Sequence, residues 1–385
     1  MKLNYFNFKQ YGKSILMTND FGKYMFVSKE DFGKILSLDV DRESELYESL
    51  IEKKMIYDES DLEYSSINKY ALREIKGHVN VATSLHIFVV TTVCNMSCIY
   101  CQANNGVECS HLIMNKEMAE KAVDIALQSP EESLCFEFQG GEPLVNFDII
   151  KHIVQYAEIH KEKHEIAYTV VTNLTLLNDE MLDFFVQYNF GISTSVDGSE
   201  LVHNNNRPYA DGSGTFKKVI NSVERVRKAG LQVGAIETST RFSLNFPKEI
   251  VHAYVEMGFE SIFIRPLTPL GKAAKSWEKI GYSSEEFIKF YQQALDELIE
   301  INKAGRFIKE DHAAILLRRI RGDFMNYMEL RSPCGAGVGQ LAYYADGNIF
   351  TCDEGRMLHE MGQSTFQLGN VYNNTYTDLI NNSVC

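Results

Sequence analysis

From Leu85 onward the chain alternates β-rich runs with amphipathic stretches in a regular order. That order leaves few architectures open, because successive parallel strands need helical crossovers to bring the chain back. Strands are predicted at 85–92 (LHIFVVTT), 134–139 (LCFEFQ), 166–172 (IAYTVVT), 190–197 (FGISTSVD), 231–238 (LQVGAIET) and 261–266 (SIFIRP). Helices are predicted to begin near Lys116, Phe147, Asp179, Phe216, Pro247 and Ser283, where apolar residues recur at three- and four-residue intervals. The chain is therefore α/β. A partial (β/α)6 barrel of the TIM type and an open doubly wound sheet both satisfy this alternation, and only the positions of the chemistry-bearing residues can decide between them.

The flanks follow other patterns. Before Leu85, KSILMTN and KYMFVS flank the turn residues Asp20, Phe21 and Gly22, and helical stretches follow at EDFGKILSL and ESELYESLIEKKM. A hairpin followed by helices suits a small winged-helix module, or an extension that covers the barrel. After Arg331 the run RSPCGAGVGQLAYYADGNIFTCDEGRM is dense in glycine, with a strand pair around Asp346 and Gly347. Since one core serves ~100–200 residues, three units are expected over this length: 1–80, 81–305 and 306–385.

Charge and hydropathy narrow the function classes. The net charge of −14 opposes nucleic-acid binding, which rests on neutralising phosphates. No apolar run approaches the ~18–20 residues of a membrane span, and MKLNYFNFKQYGK lacks the succession of a signal peptide. A cytoplasmic protein with reduced thiols is expected, with neither nucleic acid nor membrane as partner.

Three of the eight cysteines are packed into Cys94-Asn-Met-Ser-Cys98-Ile-Tyr-Cys101. Clustered thiolates in a reducing compartment point to a soft metal centre, zinc or iron–sulfur. Structural zinc closes its tetrahedron with a fourth ligand, for which Cys109 or His111 would be near enough. Three thiolates on one loop suit a cuboidal cluster with one open iron. The loop directly follows the first strand, on the rim where barrel enzymes assemble their sites. Other strand ends agree. The second runs into Gln139-Gly140-Gly141-Glu142-Pro143, where glycines allow close backbone approach and Glu142 offers an acceptor for an ammonium group. The third ends in Thr172-Asn173, the fourth in Ser195-Val196-Asp197-Gly198 and the fifth in Glu237-Thr238-Ser239.

This CxxxCxxC motif, with an aromatic residue before its last cysteine and GGEP downstream, resembles the radical S-adenosylmethionine superfamily. The resemblance spans residues 85 to about 305. It implies that Cys94, Cys98 and Cys101 hold a 4Fe-4S cluster whose fourth iron binds S-adenosylmethionine, and that an electron from a reductant such as flavodoxin or ferredoxin yields a 5′-deoxyadenosyl radical. It also implies that Gly140, Gly141, Glu142 and Pro143 contact the methionine amino group. Thr172, Asn173 and Ser195 would contact the cofactor, and Arg207 of HNNNRP would pair with its carboxylate through its planar fork.

Cys334, Gly347 and Cys352 resemble the opening of the auxiliary-cluster region called SPASM, found in peptide-modifying enzymes and anaerobic sulfatase-maturing enzymes. Asp353 falls where those maturases carry a general base, and Glu237 is a further candidate for proton handling. The usual pattern continues into more cysteines, whereas here only Cys385 follows, so a shortened region is expected, with Cys334, Cys352 and Cys385 as candidate auxiliary ligands. Cys109 and Cys135 have no motif partner. The C-terminal run looks similar to maturases of the His-Xaa-Ser peptide systems. Under that resemblance the N-terminal module recognises the leader of a precursor peptide and the barrel mouth crosslinks its core. An anaerobic sulfatase maturase and a non-catalytic iron–sulfur peptide-binding protein are the alternatives.

Overall fold

The computed structural model describes residues 1–58, 64–77, 82–103, 111–322 and 334–385. The chain forms two compact units, Met1–Asn80 and Val81–Cys385.

In the first unit, β1 (Lys2–Leu3) pairs antiparallel with β5 (Ile56–Tyr57), while β2 (Asn7–Tyr11), β3 (Ser14–Thr18) and β4 (Tyr24–Ser28) form an antiparallel sheet in that order. Helices α1 (Lys29–Ser37), α2 (Glu45–Glu52) and α3 (Tyr64–Ile75) complete it. The β3–β4 hairpin turns on Asn19, whose Oδ1 accepts from the N–H groups of Phe21 and Lys23, with Gly22 at a φ of 70°. Ser28 caps α1 by accepting from Asp31 N–H. Ile15, Met17 and Val27 share a core with Ile35, Leu50, Met55 and Ile56. Strand β2 lay outside the expectation of a simple hairpin, because all five of its residues are exposed and it carries no apolar alternation.

The second unit is built on one sheet. Its strands are β6 (Leu85–Thr91), β7 (Ser133–Gly140), β8 (Glu165–Val171), β9 (Gly191–Ser195), β10 (Val233–Thr238), β11 (Ser261–Arg265), β12 (Lys309–Glu310), β13 (Gln340–Tyr343), β14 (Asn348–Phe350) and β15 (Gln367–Asn370). The six strands read from the sequence are β6 to β11, with boundaries displaced by at most two residues. Between them run α4 (Lys116–Ala126), α5 (Phe147–His160), α6 (Asp179–Gln187), α7 (Glu200–Asn206), α8 (Phe216–Lys228) and α9 (Pro247–Glu256). Further on come α10 (Gly271–Lys275), α11 (Trp277–Ile280), α12 (Ser284–Lys303), α13 (Asp311–Ile320), α14 (Asp353–Glu360) and α15 (Tyr376–Ile380). Asn115 and Asn178 cap α4 and α6, and Ser283 with Glu286 forms a capping box on α12.

Strands β6 to β12 lie side by side in chain order and all parallel. A doubly wound sheet reverses its strand order at a switch point, and there is no such reversal here. Right-handed crossovers that always step the same way deliver their helices to one face. Phe88, Phe136, Phe138, Val170, Ile192, Ala235 and Ile264 accordingly pack against the helices in one continuous core. Each phenylalanine buried there contributes ~1.5–3 kcal/mol. Alternate residues, among them Glu137, Gln139, Thr169, Ser193, Ser195 and Thr238, turn to the other face, which is mostly polar.

The C-terminal segment joins this same sheet. β13 pairs in parallel with β6, on the side away from β7, and β14 and β15 follow antiparallel. Among the described residues no helix is long and apolar enough to cross a membrane.

Candidate active site

Parallel strands place all their C-terminal ends on one rim, and that rim carries a cavity. Its lining includes Cys94, Cys98, Tyr100 and Cys101, then Gln139 to Glu142, Thr172 and Asn173, Ser195, Arg207, Thr238 and the β11 end from Arg265 to Thr268. Chain segments far apart in sequence converge because each follows a strand of the same direction.

The cysteine loop has no regular structure of its own, so its backbone groups need partners elsewhere. Ser97 N–H donates to the Pro208 carbonyl at 2.8 Å, Ile99 N–H to the Asn206 carbonyl at 2.9 Å, and the Cys101 carbonyl accepts from Lys272 N–H at 2.9 Å. The HNNNRP segment is thus the brace of the loop as well as the source of Arg207. Asn206 is itself fixed, donating to Ser243 Oγ at 3.1 Å and accepting from Thr240 Oγ1 at 3.1 Å.

The two glycines of the GGEP turn are required by the chain's own backbone. A Cβ at Gly140 would lie 2.4 Å from the Thr91 carbonyl oxygen, and one at Gly141 would lie 2.4 Å from that of Val93. These contacts bring the β7 end against the start of the cysteine loop. Glu142 is 1% exposed. Its Oε1 accepts from Leu144 N–H at 3.0 Å and from the Thr172 hydroxyl at 2.6 Å, and its Oε2 accepts from Asn173 N–H at 2.7 Å. One carboxylate therefore ties the ends of β7 and β8 together, although burial pushes its pKa up. Asn173 passes the connection on, donating to Asn95 Oδ1 at 3.0 Å beside Cys94.

Arg207 enters from the end of α7. Its Nη1 donates to the Tyr100 hydroxyl at 2.6 Å, and that hydroxyl donates onward to the Asp197 carboxylate at 2.9 and 3.0 Å. Burial raises Asp197 to about 6, against the pull of Arg207 and the Tyr100 hydrogen bond. Arg207 Nε is buried without a hydrogen-bond partner among the described residues. Arg207 as a residue lines the cavity, where a guanidinium suits an anionic group such as a carboxylate.

The donor set also suits a multi-iron group. Among the described residues no three His, Cys, Asp or Glu side chains gather closely enough to ligate a single ion, whereas three thiols of one loop border one cavity. His111 is exposed and absent from that lining, and Cys109 lies outside the described residues. Burial pushes the bare thiols up, Cys94 to about 12 and Cys98 to about 11. A metal must ionise them before they bind.

Not every sequence candidate reaches the cavity. Glu237 sits on the opposite face of β10 from Ile236 and Thr238, which do line it. Glu237 is 0% exposed, accepts from Ser239 Oγ at 2.7 Å and is pushed well above the carboxylate range by burial. It is a core acid, and the strand period of two is the reason. Pro143 is buried in the 3-10 turn behind the rim. Conversely, the sequence shows Tyr100 and Asp197 as residues but not as a pair, and carries no signal for the β11 end that lines the cavity. Cys135 faces Thr169 at 3.8 Å on the polar face of the sheet.

In the C-terminal segment Cys352 caps α14, its Sγ accepting from Gly355 N–H at 3.3 Å. Asp353 Oδ1 accepts from the buried Arg356 at 2.7 Å. Cys385 Sγ lies 2.7 Å from where a side chain at Gly337 would begin, and Gly337 N–H donates to the Thr351 carbonyl. Cys334 is exposed three residues before Gly337. The fold thus brings Cys352 and Cys385 to the two sides of one short backbone pairing.

Residues 88–259 match the radical SAM superfamily. An uncharacterized protein of Methanocaldococcus jannaschii is 30% identical over 221 residues, covering 57% of this chain and 71% of the relative. A cysteine-type anaerobic sulfatase-maturating enzyme of Clostridium novyi is 23% identical over 78% of this chain and 80% of its own. The crystal structure of Streptococcus suis SuiB bound to S-adenosylmethionine superposes with a TM-score of 0.56 at 15% identity, over 100% of this chain and 89% of SuiB. The chain belongs to the radical SAM superfamily. It is a radical SAM enzyme related to sulfatase maturases and peptide-modifying enzymes, and its family's cofactors are a 4Fe-4S cluster and S-adenosylmethionine.

Proposed function

We propose that this chain is a cytoplasmic maturase that crosslinks side chains of a ribosomally made precursor peptide. The reading is carried by one observation: three thiols of a single loop share a cavity with the guanidinium-bearing Arg207. Cys94, Cys98 and Cys101 would hold the 4Fe-4S cluster. Glu142, Thr172 and Asn173 keep the rim in register for the methionine amino group, Ser195 would border the cofactor, and Arg207 would pair with its carboxylate. Together the bound cofactors supply a 5′-deoxyadenosyl radical. The sheet is taken as a partial barrel whose polar face receives the core peptide.

In crosslinking, the substrate would lose two hydrogens in all, one as a hydrogen atom and one as a proton and an electron, as the new bond closes. Asp353 is assigned the proton. Cys334, Cys352 and Cys385 would hold an auxiliary cluster, a group suited to accepting one electron. The N-terminal unit, read as a winged-helix-like module, would take the leader as an added strand on an edge of its three-stranded sheet. The fold likeness to SuiB bound to precursor peptide SuiA, over 99% of this chain, supports a peptide substrate. Flavodoxin or ferredoxin would supply the electron that starts each turnover.

The Clostridium novyi relative favours a second reading, oxidation of a sulfatase cysteine or serine to formylglycine. Anaerobic reconstitution with iron and sulfide, then dithionite and S-adenosylmethionine, is expected to release 5′-deoxyadenosine, and Cys94→Ala to abolish it. With a precursor peptide, loss of two hydrogens shared by two residues supports crosslinking. A change at one residue of a sulfatase peptide, with no leader required, supports the second reading. A fully loaded enzyme that releases no nucleoside would leave only a peptide-binding protein.

A further inference from the structure

Arg356 is among the largest fully buried side chains of the described residues, and the cofactor site as described does not use it. A buried guanidinium costs several kcal/mol unless it is paired, and its Nε donates to Asp353 Oδ1 at 2.7 Å. Its guanidinium carbon lies 5.9 Å from the Tyr344 ring centroid. Tyr344 packs with Ile87, Val89, Ala342 and Phe350 against the face of β6, the strand that leads into the cysteine loop. A second route reaches the same loop. Helix α14, which carries both charges, packs on α10. Gly271 N–H donates to Met361 Sδ at 3.4 Å, just past the end of α14, and the next residue, Lys272, donates its N–H to the Cys101 carbonyl. Burial disfavours the Arg356 charge, and Asp353, Tyr344 and Cys101 together outweigh it, so its pKa is raised. The cation is permanent.

We propose that Arg356 and Asp353 set the reduction potential of the cluster that Cys94, Cys98 and Cys101 hold, Arg356 favouring the reduced state and Asp353 opposing it. The proposal rests on the cluster assignment made above. Reduction adds one negative charge, so a fixed cation nearby raises the potential and a fixed anion lowers it, most strongly where water is excluded. Neutralising either member leaves the other uncompensated, and the two neutral variants must shift in opposite directions.

The test is a redox titration followed by electron paramagnetic resonance on the reconstituted full chain, reading the signal that changes when S-adenosylmethionine is added. R356Q is expected to shift the midpoint to more negative values, D353N to more positive values, and R356K to stay near wild type. Midpoints unchanged in both neutral variants, or shifted in the same direction, overturn the proposal. Should R356Q not fold, D353N and R356K still decide it. If the responsive signal survives in a C94A/C98A/C101A protein, the cluster assignment itself fails, which is a different outcome from an unmoved midpoint.

Discussion

Replacing Glu142 by glutamine keeps the shape of the side chain and removes one acceptor. Three donors converge on the carboxylate, two at Oε1 and one at Oε2, at 2.6 to 3.0 Å. An amide accepts only at its oxygen. The rotamer that keeps the amide oxygen on Leu144 and Thr172 retains two of the three donors and turns the nitrogen toward Asn173 N–H. That leaves one buried backbone donor unmet, at ~1–3 kcal/mol, and weakens two bonds that had a charged acceptor. The sum is about 3 kcal/mol. The loss falls on Asn173, whose side chain holds Asn95 next to Cys94, so binding of S-adenosylmethionine should weaken with stability. Urea unfolding followed by circular dichroism reads the first effect and equilibrium dialysis the second. Thr172→Val removes the hydroxyl at 2.6 Å, and because both changes act on one oxygen the double variant should depart from additivity by at least ~0.5 kcal/mol. An E142Q protein within ~0.5 kcal/mol of wild type, with unchanged affinity, would refute the assignment of Glu142 as the tie between strand ends.

Gly141→Ala places a methyl group 2.4 Å from the Val93 carbonyl oxygen and 2.5 Å from that of Thr92, both backbone atoms at the start of the cysteine loop. It should cost about 3 kcal/mol and lower iron content after reconstitution, measured by thermal unfolding and iron assay. His86 is fully buried on β6, with Nδ1 3.0 Å from the Tyr343 hydroxyl and Nε2 without a partner among the described residues. Burial pushes its pKa down to about 3, against ~6.5 when unfolded. The neutral ring's contribution is complete above ~6.5 and is lost as pH falls toward 3, by ~1.4 kcal/mol per pH unit. His86→Phe should therefore flatten the acid side of a stability–pH curve over that window, and an unchanged slope would show that His86 is not held neutral.

The strands and helices of the second unit were legible because each combines an apolar period with caps such as Asn115, Asn178 and Ser283, so local and tertiary preferences agree. Strand β2 was not, since NFKQY is exposed throughout and its place is decided by pairing with β3. Glu237 shows a different limit. In VGAIET both faces of the strand carry apolar residues, Ala235 toward the helices and Ile236 toward the cavity, so the sequence shows an acid at a strand end without showing which way it points. The pairing of Tyr100 with Asp197 is hidden for another reason, since 97 residues separate them and only the sheet order from β6 to β9 brings the two strand ends together on the rim.

The brace around the cysteine loop explains why the cysteine motif and the cavity coincide so closely in this chain. A loop that presents three thiols cannot also spend its backbone on a sheet ladder, and unpaired buried N–H groups would cost more than the loop could offset. The partners that meet that need are Asn206 and Pro208, on either side of Arg207, and Lys272, next to the glycine that contacts the end of α14. The segment that fixes the thiols therefore also delivers the cation for the cavity. The turn that fixes Cys101 also touches the helix bearing Asp353 and Arg356. The placement of the three thiols, of Arg207 and of the helix bearing Asp353 is consequently set by shared hydrogen bonds, and a displacement at any one of these points reaches the others through neighbouring residues.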